Sequence, residues 1–276
     1  MFLTRFRINT ARAGARRLLS SPQLLHGAVM ASFADDGAAA PTAAAPTAGV
    51  PTTRAATTAA PTTGVPTAGA PTTAAPTTAT AAGAPRVLWR IDHNSRTEVL
   101  LHLVSPQRPD LTHLVEQAGW PTTGGWQTYD YGAFLATITT GSTWAFRLTA
   151  NPVHSIRRTP DEPTKRTAHL THRHQAAWLL KQQERAGFTI VEKAPEHRLL
   201  PEGDERELVV HHPRNLSFGK NDRTNGGRHK VTLTTATFDG RLHVTDPDAM
   251  RRTLTAGLGK AKAYGCGLMT LAPVRS

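Results

Sequence analysis

Residues 238 to 273, FDGRLHVTDPDAMRRTLTAGLGKAKAYGCGLMTLAP, read as strand, helix, glycine-rich loop, strand. Leu242 and Val244 alternate as in a half-buried strand. Asp246 is placed to cap a helix whose first position holds Pro247, where a missing N–H costs little. Gly257 ends that helix. Gly257, Gly259, Gly265 and Gly267 permit close backbone approach around Lys260 and Lys262, and Leu268 to Leu271 form a last apolar strand. Loop amides and two ammonium groups together make a candidate anion site, although the same glycines also fit a tight connection and nothing more. A dinucleotide fingerprint runs strand, glycines, helix. Here the glycines follow a helix, so no nucleotide cofactor is expected.

Similar units recur upstream. Phe2, Thr4, Phe6 and Ile8 alternate with Leu3, Arg5 and Arg7 as a strand, and Ser21-Pro22 opens a helix to about Phe33. Val87 to Ile91 and Val99 to Val104 read as strands, Leu111 to Ala118 as a short helix, and Trp144 to Ala150 as a strand ending at Asn151-Pro152. Strand, helix, strand, strand, helix, strand is the ferredoxin-like order. The second half reads as a repeat of it, with a helix at His174 to Ala186 and strands at Phe188 to Val191 and Leu208 to His212. Leu216 to Lys220 pairs with His229 to Phe238 across Asn225-Gly226-Gly227, a hairpin signal. The expected fold is α+β, two tandem ferredoxin-like (RRM-like) βαββαβ domains over residues 1–152 and 153–276. Residues 34–85 differ in kind, being almost wholly Ala, Thr, Pro and Gly, with Pro-Thr recurring from Pro41 to Pro76. From Gly37 to Pro85 there is no aromatic and Arg54 is the sole charge, so this insert in the first domain cannot offset its ordering entropy and is expected to be disordered.

The formal charge is +12, which points to polyanionic partners, nucleic acid first and an anionic membrane surface second. No run is long and apolar enough to span a bilayer. The single cysteine, Cys266, excludes an internal disulfide and argues against structural zinc, so a reducing cytoplasm suits the chain. A secretory signal followed by a mucin-like stalk is set aside, because Ser20-Ser21-Pro22, Gln23 and His26 break the apolar region.

The hairpin tip carries Lys220, Arg223, Arg228 and Lys230. A twisted basic hairpin can enter a nucleic-acid groove, or its cations can simply protect a sheet edge. Further candidate phosphate contacts are Arg12, Arg16 and Arg17 near the amino end, Arg157 and Arg158 where the domains join, and Lys260 and Lys262 in the tail. No metal site is expected. His169, His172 and His174 lack a carboxylate or cysteine at ligand spacing, and His211 and His212 alternate across a strand, so they cannot both face one ion.

Met1 to Phe6 (MFLTRF), His26 after Ser-Pro, Phe146 to Pro152 (FRLTANP) and the tail from Phe238-Asp-Gly-Arg-Leu to Gly267-Leu-Met resemble the CasE family of CRISPR repeat-processing endoribonucleases. The resemblance spans the chain except the insert. It implies metal-independent cleavage of the stem-loop repeats in precursor CRISPR RNA. It also implies that the protein stays on the 3′ hairpin among the other subunits of the type I-E complex, Cascade. His26 stands at the place of the family's catalytic histidine. The family's tyrosine three residues earlier is Gln23 here. A glutamine cannot titrate but can orient a phosphate by hydrogen bonding, so a non-catalytic RNA-hairpin-binding subunit stays open as a second reading. The phenols available are Tyr129, Tyr131 and Tyr264. Metal-free RNA cleavage needs a base for the 2′ proton, an acid for the leaving 5′ oxygen, and cations at the phosphate, and histidine titrates in the range that serves.

Overall fold

The computed structural model describes residues 1–33, 85–95, 98–120, 125–156, 165–221 and 228–274. The insert expected at 34–85 lies outside these apart from Pro85, and so do Arg157, Arg158 and Arg223. β1 (Phe2–Ile8) buries Thr4, Phe6 and Ile8 and exposes Arg5 and Arg7, as its alternation requires. It is followed by α1 (Ala13–Leu19) and α2 (Pro22–Ala31), then β2 (Leu88–His93), β3 (Val99–Ser105), α3 (Thr112–Ala118) and β4 (Trp126–Asp130). The four strands are antiparallel in the order β2-β3-β1-β4. Phe6, Ile8, Leu18, Leu25, Val29, Leu101 and Leu114 form a core between this sheet and its helices.

After α4 (Tyr131–Ala136) come β5 (Thr143–Ala150) and the small hairpin of β6 (Val153–Ile156) and β7 (Lys165–Ala168). Then follow α5 (His172–Leu180), α6 (Gln183–Ala186), β8 (Phe188–Ile190), β9 (Leu208–Asn221), β10 (Arg228–Val244), α7 (Pro247–Ala256) and β11 (Met269–Pro273). The second sheet runs β11-β5-β10-β8, with β9 also paired to β10. Each half is thus a βαββαβ unit with helices against an antiparallel sheet. Asp246 caps α7 as expected, its Oδ1 accepting from the amides of Asp248 (2.9 Å) and Ala249 (3.0 Å).

One strand belongs elsewhere than expected. Trp144 to Ala150 does not close a first domain ending at residue 152. It is β5, paired with β10 and β11, and the first sheet is closed instead by Trp126–Asp130. That strand gives little sequence signal because its five residues are half-buried or exposed. The helix expected from His174 to Ala186 is broken into α5 and α6.

Arg90 of β2 joins the halves. It is 1% exposed. Nε and Nη2 donate to both oxygens of Asp92 at 2.7 and 2.8 Å, Nη1 donates to the carbonyls of Arg147 (2.8 Å) and Leu268 (3.0 Å), and Nη2 also reaches Thr270 Oγ1 at 2.8 Å. The partners Arg147 and Thr270 lie on β5 and β11, so a first-sheet cation is bonded to the backbone of the second. His102 Nδ1 stands 3.2 Å from Asp92 Oδ2. Burial alone would raise the Asp92 carboxyl, but hydrogen bonds from His102 and Arg90 outweigh it and hold the group far below the usual carboxylate range.

Removing one member of a buried pair strands the other charge, so Asp92→Asn is expected to lower unfolding stability by about 3 kcal/mol in urea. Because the folded pKa lies below the unfolded one, Asp92's contribution is complete above about pH 4 and fades as pH falls from there. The wild type should therefore lose more stability than the variant between neutrality and acid, and equal losses would show that the pair contributes nothing.

Candidate functional site

α2 starts where Pro22 pre-sets the first helical turn. Ser21 occupies the cap position with φ −144° and ψ 120°, but its side chain makes no cap bond; its carbonyl accepts from the Leu25 amide at 3.1 Å. Leu25 and Val29 are buried, and His26 sits half-buried beside them. Its Nδ1 is buried and receives no hydrogen bond from any described residue. Burial first, and then the positive charge of Arg86, lower the His26 pKa.

Arg86 is held at this place by its amide, which donates to the Thr255 carbonyl of α7 at 3.2 Å. It also acts on Lys262, whose ammonium is lowered by burial, then by Arg86 and Lys260. The short turn Lys262–Tyr264 packs on α2. An imidazole from the first half and cations from both halves therefore share one neighbourhood. Glycine makes the approach possible: at Gly265, φ is +79° and a Cβ would lie 2.6 Å from the Trp89 ring.

Three amides of the loop are turned inward and cannot serve an anion. Leu258 N donates to Gly267 O (2.9 Å), Gly267 N to Thr149 O (2.7 Å) and Tyr264 N to Ala261 O (2.9 Å), so these donors are spent inside the fold. Lys262 Nζ donates to the Ala256 carbonyl at 2.6 Å, at the end of α7, while Lys260 is exposed.

Beside α2 lies a cavity of about 410 Å³. Pro22 and Leu25 form one rim, Trp89 and His93 of β2 another, and Arg147, His211, His212 and Arg214 the floor on the second sheet, with Tyr264 at the loop. Asp239 links this floor. Arg147 Nε and Nη2 each donate to it at 2.7 Å, and His211 Nε2 lies 3.0 Å from Oδ2. Burial would raise the Asp239 carboxyl, but Arg147 and then His211 hold it low. His211 Nδ1 is in turn 2.6 Å from His212 Nδ1. The expected alternation of these two histidines therefore fails. A register shift opposite Thr235 and Thr237 bulges the strand, and His212 takes φ +47°, which turns its ring back beside its neighbour. The His93 pKa is lowered by burial and by Arg214, with His212 adding to the effect against an opposing pull from Asp92.

Among the described residues no group of three or more His, Cys, Asp or Glu side chains could hold a metal ion. The phenols separate clearly. Tyr131 is 2% exposed and its hydroxyl is pushed far up by burial. Tyr129 is exposed on β4 and donates to Gln127 at 2.9 Å. Tyr264 lies in the turn against α2.

The remaining expected cations are spread out. Arg12 Nη1 donates to the carbonyls of Val115 (3.1 Å) and Gly119 (3.2 Å), closing the end of α3. Arg16 Nη1 bonds Thr10 O (3.3 Å) and Ala11 O (2.5 Å), and Arg17 is exposed on α1. Lys220 lies on β9 opposite His229, Arg228 opens β10, and Lys230 is exposed on β10. Arg86 escaped the sequence reading because it adjoins the low-complexity run and looks like its end. The Asp239, His211 and His212 line escaped it because only a bulge brings the two rings together.

The family model described as "CRISPR associated protein" matches residues 69–273. The chain is 30% identical over 194 residues, 69% of its length and 82% of the relative's, to the "CRISPR-associated endoribonuclease Cse3" of Thermus thermophilus. A solved structure of the CRISPR endoribonuclease Cse3 bound to 19 nt RNA is similar to it with TM-score 0.62 at 21% identity, covering 99% of this chain and 100% of that one. A structure of Thermus thermophilus Cse3 bound to an RNA representing a pre-cleavage complex gives TM-score 0.62 at 22% identity, covering 99% and 98%. At these identities the two structures speak for the fold.

Arg86→Gln is expected to raise the His26 pKa, leaving it still below the ordinary value of about 6.5 because burial, the larger cause, is unchanged. An NMR titration of the imidazole protons reads this directly. An unmoved or lower midpoint would separate Arg86 from His26.

Proposed function

This chain belongs to the CRISPR-associated family that its residues 69–273 match. On that footing we propose a metal-independent endoribonuclease that cuts the stem-loop repeats of precursor CRISPR RNA and remains on the 3′ hairpin as a Cascade subunit. The observation that carries the reading is the half-buried His26 with Arg86 acting on it and Lys262 and Lys260 nearby. Its lowered pKa keeps the ring neutral near pH 7 and ready to accept a proton. The ribose 2′-hydroxyl gives its proton to His26 and attacks the adjacent phosphorus. The bond to the 5′ oxygen breaks, that oxygen takes up a proton, and the products are a 2′,3′-cyclic phosphate and a 5′-hydroxyl. Arg86, Lys260 and Lys262 offset the charge that builds on the phosphoryl oxygens. Gln23, three residues before His26 on the same helical face, orients a phosphate oxygen through its amide.

The long ribbon of β9 and β10, with Lys220, Arg228 and Lys230, takes the stem, together with Arg223, which lies between the two strands in sequence. Arg12, Arg16 and Arg17, and Arg157 and Arg158, are further candidate contacts to the RNA backbone. We place the division of the two domains in the connection 131–142, and the protein in the cytoplasm. There Cys266, fully buried with its thiol pushed up to about 12, persists as a free thiol. Among the described residues no helix is long and apolar enough to cross a membrane.

Purified protein with its host repeat RNA in chelator should make one cut ending in a cyclic phosphate. His26→Ala should keep the affinity within a few fold and lose about 10² to 10⁴ in single-turnover rate. Cleavage by that variant at the wild-type rate would remove His26 from the chemistry. With the folded His26 pKa lowered, the acid limb of the rate profile should lie below about pH 6.5. A limb at or above that value would assign it to another group.

A further inference from the structure

The cavity beside α2 has two unlike sides. It has an apolar and aromatic side in Leu25, Trp89 and Tyr264, and a polar side in His93, His212 and Arg214. The Tyr264 ring is fixed edge-on to Phe218 of β9, with centroids 4.8 Å apart at 64°. The polar side is fixed as well. His211 is held by Asp239, itself locked by Arg147, and its Nδ1 lies 2.6 Å from His212 Nδ1, so the second nitrogen of His212 is left for a ligand. His212 holds its ring there at the cost of a left-handed backbone, φ +47°.

Its position matters as much as its walls. Pro22 is on the rim, and His26 lies four residues on along the same face of α2, about 6 Å away by helical spacing. His212, Arg214 and Leu216, on the opposite side, belong to β9, the strand that runs on to the basic hairpin. The cavity thus lies between the strand that leads to the hairpin and the helix that carries His26. Resting on the function proposed above, we propose that the cavity holds one unstacked ribonucleotide flanking the cut, its base against Tyr264 and its polar edge toward His212 and Arg214. Unpaired bases are recognised in this way, by aromatic stacking and edge hydrogen bonds.

The test uses the full-length protein and repeat RNA carrying an abasic nucleotide at each position either side of the cut, with Kd and single-turnover rate both measured. Two variants each strip one wall of the cavity without touching His26: Tyr264→Leu, and His212→Gly, which keeps the positive φ at no cost. At one flanking position the abasic change should weaken wild-type binding about tenfold, the order that one stacked base contributes. The same change should cost little in either variant, because the two losses share one contact. Penalties equal in wild type and both variants, or no penalty at any flanking position, would overturn the inference while leaving cleavage by His26 intact. A base-dependent affinity with no cleavage of the intact RNA would instead sink the nuclease reading and spare the cavity.

Discussion

The arrangement depends on one buried guanidinium. Arg90 has every nitrogen engaged: Nε and Nη2 by its strand neighbour Asp92, Nη2 also by the Thr270 hydroxyl, and Nη1 by the carbonyls of Arg147 and Leu268 in the second half. A charge taken out of water at this depth is tolerated only when its counterion and all its donors are satisfied. That requirement makes the contact directional. An apolar junction could slide, whereas this one sets β2 against β5 and β11 in one register. Arg86, Trp89 and His93 all lie within four residues of Arg90 in sequence, so each is positioned by the same clamp.

The candidate site follows from that junction. α2 brings the imidazole from the first half, and the turn Lys262–Tyr264 comes from the tail of the second. Gly265 lets the tail press onto the Trp89 ring, so the two chain ends meet across the clamp. The meeting withdraws His26 and Lys262 from water, and burial is the largest cause of the lowered pKa in both. Like charges held close then act in the same direction. The strain of gathering cations around a basic ring is the kind a polyanion relieves when it binds.

Much of the fold was legible because local periods were strong. β1, α2, α7 and the β9 and β10 ribbon each carry their own alternation, cap or turn signal, and they form within a few residues of where those signals lie. What the sequence could not show is partnership. β5 has the pattern of a strand, but nothing in seven alternating residues says which sheet it joins, and the half-exposed β4 hid the strand that fills its expected place. His26 and Lys262 were visible as residue types in motifs. Arg86 was not, since its importance comes from the Thr255 carbonyl that anchors it. His211 and His212 were read with the ideal period of two, which a bulge does not obey.

On the proposed reading, Gln23 leaves α2 without a second titrating group three residues before His26. General acid or base catalysis contributes about 10² to 10⁴ in rate, whereas preorganised charge at the developing oxyanion is usually the larger share. Here the preorganisation is unusually firm. Arg86 is tied through its backbone to α7, Lys262 is bonded to Ala256 O at 2.6 Å, and both are held across a clamp that cannot relax without exposing Arg90. A phenol at position 23 would add a proton donor to an environment already rich in cations, whose net effect is to favour the anionic transition state. An uncharged amide in the role proposed for Gln23 would leave that larger contribution untouched. The proposed chemistry would therefore rest on the joint between the two sheets more than on any one residue of the helix that carries the histidine.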